Sequence, residues 1–427
     1  MTAAIIVIFI IGYLGIALEH NLRINKSATA LVTGVLCWTV YILFTGDKEI
    51  VIESLTEHLG NLSQILFFLM GAMTIVELID AHDGFEYITR RVKTNKKGRI
   101  LVIVAVLSFF LSAVLDNLTT TIVMVSLVRK LVDDQKDRWM LAGMIVVAAN
   151  AGGAWSPIGD VTTTMLWIGN QITAQNIILE LIIPSLVCML VPLMVMRYVF
   201  KGKITPPQQK FGYGGSTKST ARERTIVLFT GIAFLLFVPV FKTITHLPPF
   251  MGMLLALGLM WMITESIHSG KDEEDRKNFS VAYALRKVDT SSVLFFLGIL
   301  LAVSALESTH QLEHMAGWME TNLKDHDVII TSFGLLSSIV DNVPLVAAAQ
   351  GMYGLDVFPT DHYFWEFLAY CTGTGGSILI IGSAAGVAAM GLEKINFGWY
   401  LKRVGWLALI GYLSGALVYM LQSKIMG

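Results

Sequence analysis

Charge is scarce in this sequence. Only 15% of its 427 residues are Asp, Glu, Lys or Arg, whereas typical soluble domains contain about 25%. Hydrophobic residues make up 54% of the chain, and its mean hydropathy is +0.65. A water-soluble surface would need more charge than this, so the composition excludes an ordinary soluble protein and indicates a membrane protein.

Cysteine is also scarce, and histidine is absent from the middle of the apolar runs. Cys37, Cys188 and Cys371 stand singly, which fits neither a disulfide framework nor a metal centre. All nine histidines fall in loops or at the edges of apolar runs, which argues against a buried histidine proton relay. No basic segment precedes the first apolar run, so we interpret that run as a retained span. We expect no cofactor and no nucleic-acid partner.

Long apolar runs dominate what is present. A helix of about 20 apolar residues can cross a hydrocarbon core of about 30 Å. Eight stretches of this kind are predicted to be spans, near residues 2–18, 27–44, 61–79, 177–200, 224–242, 247–267, 290–307 and 404–423. The sequence therefore predicts an all-α polytopic membrane protein.

One apolar run is too long for a single crossing. Residues 100–132 would form a straight helix of about 50 Å, and Asp116-Asn117 lies at the centre of the run. Basic residues flank both ends, which places both ends on the same side of the membrane. The run is therefore predicted to be a re-entrant helical hairpin with the Asp-Asn pair at its tip.

The same pattern occurs a second time. Residues 328–353 are predicted to form another hairpin around Asp341-Asn342, 225 positions after the first pair. In each copy a serine, Ser112 or Ser337, stands four residues before the aspartate. A carboxylate inside hydrocarbon costs at least about 2.5 kcal/mol, so a membrane protein keeps one where it has a function. Two carboxylates in matching places suggest a two-part site.

Each hairpin is followed by an apolar segment interrupted by glycine. These segments cover residues 139–170 and 364–390, with Gly152-Gly153 in the first and Gly375-Gly376 in the second. We interpret the glycines as helix breaks, whose freed backbone groups are tolerated at membrane depth only where they face protein or a polar cavity. The alternative is close helix packing through small residues.

The two copies define the predicted domain organisation. Residues 1–200 form a first repeat, 201–223 a polar linker and 224–427 a second repeat. Each repeat crosses the membrane five times, an odd number, so the second repeat is inverted. With both termini outside and the linker in the cytoplasm, inner segments hold 27 of the 31 Lys and Arg residues. The four outside are Lys48, Lys242, Lys324 and Lys424.

The deep charges indicate what the site binds. Asp116, Asp160 and Asp341 are the deep ionisable residues of this threading, and no Lys or Arg is expected at that depth. Unpaired carboxylates in a low dielectric are protonated or hold a cation, and the two options compete. Carboxylate, hydroxyl, amide and carbonyl oxygens suit a hard cation. A purely structural, hydrogen-bonded role for any single aspartate remains the alternative.

These motifs resemble NhaD-type sodium/proton antiporters of the ion-transporter superfamily, and more distantly its divalent anion/sodium symporters. The specific parts are Ser112 to Thr121, Gly152 to Thr164, Ser337 to Asn342 and Gly373 to Gly386. The resemblance implies Na⁺ ligands at both tips, a homodimer in membrane lipid and an elevator motion. Its Na⁺ sites correspond to Ser112, Asp116 and Asn117, and to Ser337, Asp341 and Asn342; further candidate ligands are Thr119, Thr374 and the carbonyls near Gly152-Gly153 and Gly375-Gly376.

The chain departs from those symporters at the tips. Where they carry the serine of a Ser-Asn-Thr motif, this chain has Asp116 or Asp341, and two added negative charges would repel an anionic substrate. The sequence therefore predicts that these aspartates bind Na⁺ or Li⁺ and H⁺ alternately. Asp160 is a third coupled carboxylate, although its repeat position holds Ser383.

Three other interpretations remain. An anion carrier of the same fold would take a dicarboxylate, citrate or arsenite, since fold does not fix substrate. An intramembrane aspartyl protease would need a paired dyad and a Gly-x-Gly-Asp motif, whereas this chain has Pro157-Ile-Gly-Asp160. A purely structural protein would have no reason to keep two acidic tips. We expect a transporter in the cell membrane, of the bacterial inner-membrane type, rather than an enzyme.

Overall fold

The computed structural model describes residues 2–17, 19, 24–85, 94–205, 219–272, 277–323, 325–339 and 341–426. Within these ranges the regular structure is helical, and the only β pairing is an isolated bridge between Lys96 and Lys203. Eight helices in the described part of the chain are long and apolar enough to cross a membrane. The prediction of an all-α polytopic membrane protein is confirmed.

The first half of the chain contains eight described helices. They are α1 (Thr2–Ala17), α2 (Lys26–Phe44), α3 (Lys48–Ala81), α4 (Lys97–Leu115), α5 (Asn117–Leu131), α6 (Gln135–Ala154), α7 (Val161–Ile168) and α8 (Ala174–Val199). The predicted linker at 201–223 lies mostly outside the described residues.

The second half contains the remaining helices. They are α9 (Ala221–Thr245), α10 (Pro249–His268), α11 (Val281–Lys287), α12 (Thr290–Ser308), α13 (Gln311–Leu323), α14 (His326–Leu336), α15 (Asn342–Met352), α16 (Tyr363–Gly375), α17 (Ala384–Glu393), α18 (Phe397–Tyr400) and α19 (Trp406–Met426). A π-helical turn, Leu401–Gly405, joins α18 to α19.

The helices pack as two bundles, each built from both halves of the chain. The span bundle contains α1 to α3 and α9 to α12. The hairpin bundle contains α4 to α8 and α14 to α19. The bundles meet where α15 packs against α12, where α7 packs against α3 and where α9 packs against α4, and α13 contacts helices of both bundles. This arrangement places every predicted hairpin and broken helix in one unit.

The two predicted hairpins are present as pairs of consecutive helices with bounds within a few residues of those expected. In the first, Asp116 alone separates α4 from α5. In the second, residues 337–341 separate α14 from α15. The helix α4 has 19 residues, more than the arm of about 15 that a short re-entrant hairpin needs, and is one of the eight long apolar helices. Re-entry itself stays a prediction.

The glycines explain why the hairpins lie so close to the broken helices. A Cβ added at Gly152 would lie 2.1 Å from the carbonyl oxygen of Phe109, and one at Gly375 would lie 2.0 Å from that of Gly334. Two serine hydroxyls strengthen these contacts: Ser112 donates to Ala149 O at 2.6 Å, and Ser337 donates to Thr372 O at 2.8 Å. The two halves therefore share the same local packing. Their inverted orientation in the membrane stays a prediction.

The interpretation of Gly152-Gly153 as a helix break is wrong. Helix α6 runs through both glycines to Ala154, and the break covers residues 155–160. In the second half the break begins where predicted, because Gly375 ends α16 and Gly376 follows it. A hairpin backbone lies against Gly152 and Gly375, whereas the Cβ position of Gly153 faces the carbonyl oxygen of Gly159 in the break. Close packing therefore accounts for both Gly152 and Gly153.

Two histidines are buried at helix ends. His82 follows α3 and His268 ends α10, and their Nε2 atoms lie 2.8 Å apart. Burial lowers the pKa of His82 to about 4, which keeps this ring neutral at physiological pH. The ring of His268 stacks on Phe279, and the ring of His82 lies tilted against the same phenylalanine.

Candidate ion-binding site

The centre of the site is the carboxylate of Asp160, which ends the break before α7. One oxygen accepts hydrogen bonds from the backbone N–H of Thr162 at 2.9 Å and from its hydroxyl at 2.8 Å. Asp160 is therefore the N-cap of α7, where the helix dipole stabilises its negative charge. Ser383 occupies the same N-cap position in front of α17, with nearly identical backbone angles.

The two hairpin tips meet at this carboxylate. Asn117 begins α5 and Asn342 begins α15, and both are buried. Asn117 Nδ2 makes a short hydrogen bond to Asp160 Oδ2, and Asn342 Nδ2 donates to Asp160 Oδ1 at 3.2 Å. The structure thus brings together one residue from each predicted tip and Asp160, the aspartate that has no counterpart in the second repeat.

A second polar layer was not predicted. Asn150, near the C-terminal end of α6, accepts from Asn117 Nδ2 through its Oδ1 at 3.1 Å. Its own Nδ2 lies 2.9 Å from the hydroxyl oxygens of both Ser377 and Ser383. A sequence signal existed, since Asn150 is a lone amide in an apolar helix and Ser383 aligns with Asp160 in the repeat. Asn150 thus links the first broken helix to the break of the second.

Asp116 forms the tip of the first hairpin in an unusual conformation. Its φ is +74° with ψ 161°, a region that favours glycine and costs other residues about 1–3 kcal/mol. Its carboxylate caps α5, with Thr119 N–H at 2.8 Å from Oδ1 and the Thr119 hydroxyl at 2.8 Å from Oδ2. Thr119, one of the predicted ligands, thus donates two hydrogen bonds to the Asp116 carboxylate. Such strain typically persists at functional positions.

A small cavity of about 40 Å³ lies beside these groups. Asp116, Asn117 and Asp160 line one side, and apolar side chains of the span bundle, including Phe68 and Met73, line the other. The site thus lies at the boundary between the two bundles. This volume suits an ion or a few water molecules.

Asp341 has a different environment from the one expected. Its Oδ2 lies 3.2 Å from the Nζ of Lys26, the first residue of α2, and its Oδ1 accepts from Val343 N at 3.4 Å. No Lys or Arg was expected at the depth of the aspartates, yet the side chain of Lys26 reaches Asp341. Lys26 was assigned to an inner loop, and only the packing of α2 beside the second tip brings the two together.

The remaining predicted ligands divide into two groups. The hydroxyls of Ser112 and Ser337 are buried and donate to broken-helix carbonyls, which leaves oxygen lone pairs available. Thr374 donates within its own helix to Tyr370 O at 2.6 Å. Among the described residues, no three His, Cys, Asp or Glu side chains form a metal cluster. A cation held here would therefore depend on amide, hydroxyl and carbonyl oxygens as well.

A buried carboxylate in one broken helix, met by two hairpin tips that each carry a partly buried aspartate, is the architecture of a secondary transporter. Comparison with known proteins agrees. A family model described as "Citrate transporter" matches residues 5–365, and the chain therefore belongs to this transporter family.

Its relatives narrow the assignment. The chain is 46% identical to sodium/proton antiporter 1 of Arabidopsis thaliana, over 98% of this chain and 72% of that protein. It is 44% identical to sodium/proton antiporter 2 of the same plant, over 97% and 98%. It is 29% identical to the Na⁺/H⁺ antiporter NhaD of Alkalimonas amylolytica, over 97% and 89%. The resemblance to NhaD-type antiporters is confirmed.

Proposed function

We propose that this protein exchanges Na⁺, and also Li⁺, for H⁺ across the membrane. The observation that carries the proposal is that the carboxylate of Asp160 is buried without a positively charged partner among the described residues. Its carboxylate is buried and receives hydrogen bonds from Thr162, Asn117 and Asn342, all neutral donors. Among the described residues no Lys or Arg forms an ion pair with it. A buried carboxylate in this position is neutralised by a proton or by a bound cation.

The exchange follows from that competition. Asp160 and Asp116 border one small cavity, so a cation that enters meets carboxylates that otherwise bind protons. Asn117 and Asn342 orient the Asp160 carboxylate from the two tips, and the oxygens of Ser112 and Ser337 lie where each hairpin contacts its broken helix. Asp341 supplies the second tip's carboxylate. Na⁺ or Li⁺ is a suitable cargo because every candidate ligand is an oxygen.

An anion carrier is the second candidate, because the family model is described as a citrate transporter. Three observations weigh against it. The cavity at the tips, about 40 Å³, is small beside the 300–1,000 Å³ typical of small-molecule pockets. Its polar lining includes Asp116 and Asp160, which repel a carboxylate substrate. The relatives named above carry antiporter names.

We further propose the membrane arrangement. The crossing count and the distribution of Lys and Arg support both termini on the outside of a cell membrane of the bacterial inner-membrane type. The resemblance supports a homodimer and an elevator motion. Two separately packed bundles with the site between them are the arrangement that such a motion requires.

Transport in proteoliposomes with an internal pH dye tests the proposal. Addition of NaCl or LiCl to acid-loaded vesicles is expected to drive proton release, whereas choline chloride is not. Uptake of radiolabelled citrate and succinate, measured in the same vesicles with and without Na⁺, is expected to equal that of protein-free vesicles. Sodium-dependent citrate uptake without sodium-driven proton movement would establish the anion carrier instead.

A further inference from the structure

Lys26 is held in a fixed position at the start of α2. Asn25 caps this helix by accepting from Ser27 N–H at 2.8 Å, and the backbone N–H of Lys26 donates to Glu19 Oε1 at 3.1 Å. The side chain then extends over the ring of Phe295, with Nζ 4.2 Å from the ring centroid. The ammonium is thereby directed at Asp341 Oδ2, 3.2 Å away.

The pair crosses the boundary between the two bundles. Lys26 belongs to the span bundle, and Asp341 caps α15 of the hairpin bundle. The two side chains retain 23% and 14% of their exposure, so the pair is only partly enclosed by protein. The ammonium of Lys26, on the span bundle, thus pairs with the carboxylate of Asp341, at the tip of the second hairpin. An ion that enters this partly open place can displace the ammonium.

We propose that Lys26 is an internal counter-cation that occupies Asp341 whenever this carboxylate carries neither Na⁺ nor a proton. This inference rests on the proposed function, in which Asp341 takes part in cation and proton binding. A cation that binds Asp341 must first displace the ammonium, and a proton on Asp341 removes the charge that attracts it. Because the two partners belong to different bundles, an unloaded Asp341 keeps the second tip against α2, and loading releases it.

A second lysine provides a matched control. Lys242 of α9 also reaches from the span bundle to the hairpin bundle, where its Nζ donates to Trp167 O at 2.7 Å and to Asn170 Oδ1 at 3.2 Å. It also lies 5.0 Å from the ring of Trp167, much as Lys26 lies over Phe295. Its oxygen acceptors are neutral, so removal of its charge frees no carboxylate for Na⁺.

The decisive measurement is the half-saturating Na⁺ concentration for exchange at alkaline pH. In Lys26→Met it is expected to fall at least about tenfold, equivalent to about 1.4 kcal/mol, because Na⁺ no longer displaces an ammonium. Lys26→Arg keeps the positive charge, so its half-saturating Na⁺ concentration is expected to be close to that of the wild type. Lys242→Met is expected to leave it unchanged. Damage to the fold would weaken Na⁺ binding, so a gain in affinity separates the proposal from a structural role.

Residue-resolved mass spectrometry after amine labelling gives an independent readout. Saturating Na⁺ is expected to increase the modification of Lys26 in the wild type, and Asp341→Asn is expected to show high modification with or without Na⁺. If Lys26→Met has an unchanged or weaker Na⁺ affinity, or if modification of Lys26 does not depend on Na⁺, Lys26 is not a counter-cation of Asp341. Neither result contradicts Na⁺/H⁺ exchange itself. Normal exchange in Asp341→Asn, or none in the wild type, contradicts the proposed function itself.

Discussion

Asn117 and Asn342 stand 225 positions apart in the chain, yet both donate their side-chain amides to the carboxylate of Asp160. Each asparagine is the first residue of a helix that leaves a hairpin tip. The two copies of the motif therefore meet at one place in the structure. They build two arms that share one central carboxylate, which the second repeat does not duplicate because Ser383 stands in its place.

Asp160→Asn is expected to abolish exchange while the protein still inserts and folds. The amide oxygen still caps α7 through Thr162, so only the charge and the proton acceptor are lost. Sodium-driven proton release from proteoliposomes checks this. Asp289→Asn is the control, since Asp289 caps α12 in an exposed position and its replacement is expected to retain exchange. Full activity in Asp160→Asn would remove Asp160 from the mechanism.

Asp116→Gly is expected to raise stability and to abolish exchange. Glycine relieves the strain of a φ of +74°, worth about 1–3 kcal/mol, and replaces an N-cap at a cost of a few tenths of a kcal/mol. Asp116→Ala keeps the strain and loses the cap, so it is expected to be less stable than the wild type. Thermal unfolding in detergent measures the order. A glycine variant no more stable than the alanine variant would show that the tip is not strained.

Gly152→Ala and Gly375→Ala are expected to destabilise the protein by about 1–3 kcal/mol or more, because each Cβ meets a hairpin carbonyl near 2 Å. Gly258→Ala is the matched control. Gly258 is also helical but has open space around its Cβ position, and alanine there is expected to gain up to about 1 kcal/mol. Equal unfolding temperatures for Gly152→Ala and Gly258→Ala would contradict the close packing.

Apparent Na⁺ affinity is expected to weaken as pH falls. If proton and cation share the carboxylates, half-saturating Na⁺ rises toward tenfold per pH unit well below the pKa of the site, since each unit adds about 1.4 kcal/mol to proton removal. The measurement is half-saturating Na⁺ and Li⁺ in proteoliposomes from about pH 6.5 to about pH 9.5. A flat profile in which only the maximal rate changes would assign the protons to a separate site.

The inverted topology is tested by two single cysteines. Lys203→Cys is expected to react with a membrane-impermeant maleimide only from the cytoplasmic side, and Asp356→Cys only from outside, because an odd number of crossings separates them. The native cysteines are all buried, so the wild type is the background control. Labelling of both positions from one side would reverse the proposed orientation of the second repeat.

The sequence by itself determined the fold class, the helix order and the positions of both hairpins. These features depend on the cost of placing charge and backbone polar groups in hydrocarbon, a cost that is set locally along the chain. The break that begins at Gly376 was located for the same reason, whereas the first break begins after Ala154 and not at the Gly152-Gly153 pair that was taken for it. Duplication of Ser112-to-Asn117 at Ser337-to-Asn342 also showed which residues to consider together.

Only the tertiary structure decided how those residues pair. It placed Asp160 between two asparagines, added Asn150 to the network and brought Lys26 to Asp341 across 315 positions. It also showed that Gly152 and Gly153 permit close packing inside a continuous helix. Hydropathy cannot specify such contacts, because a partner is selected by the packing of whole helices and by the direction each side chain then takes.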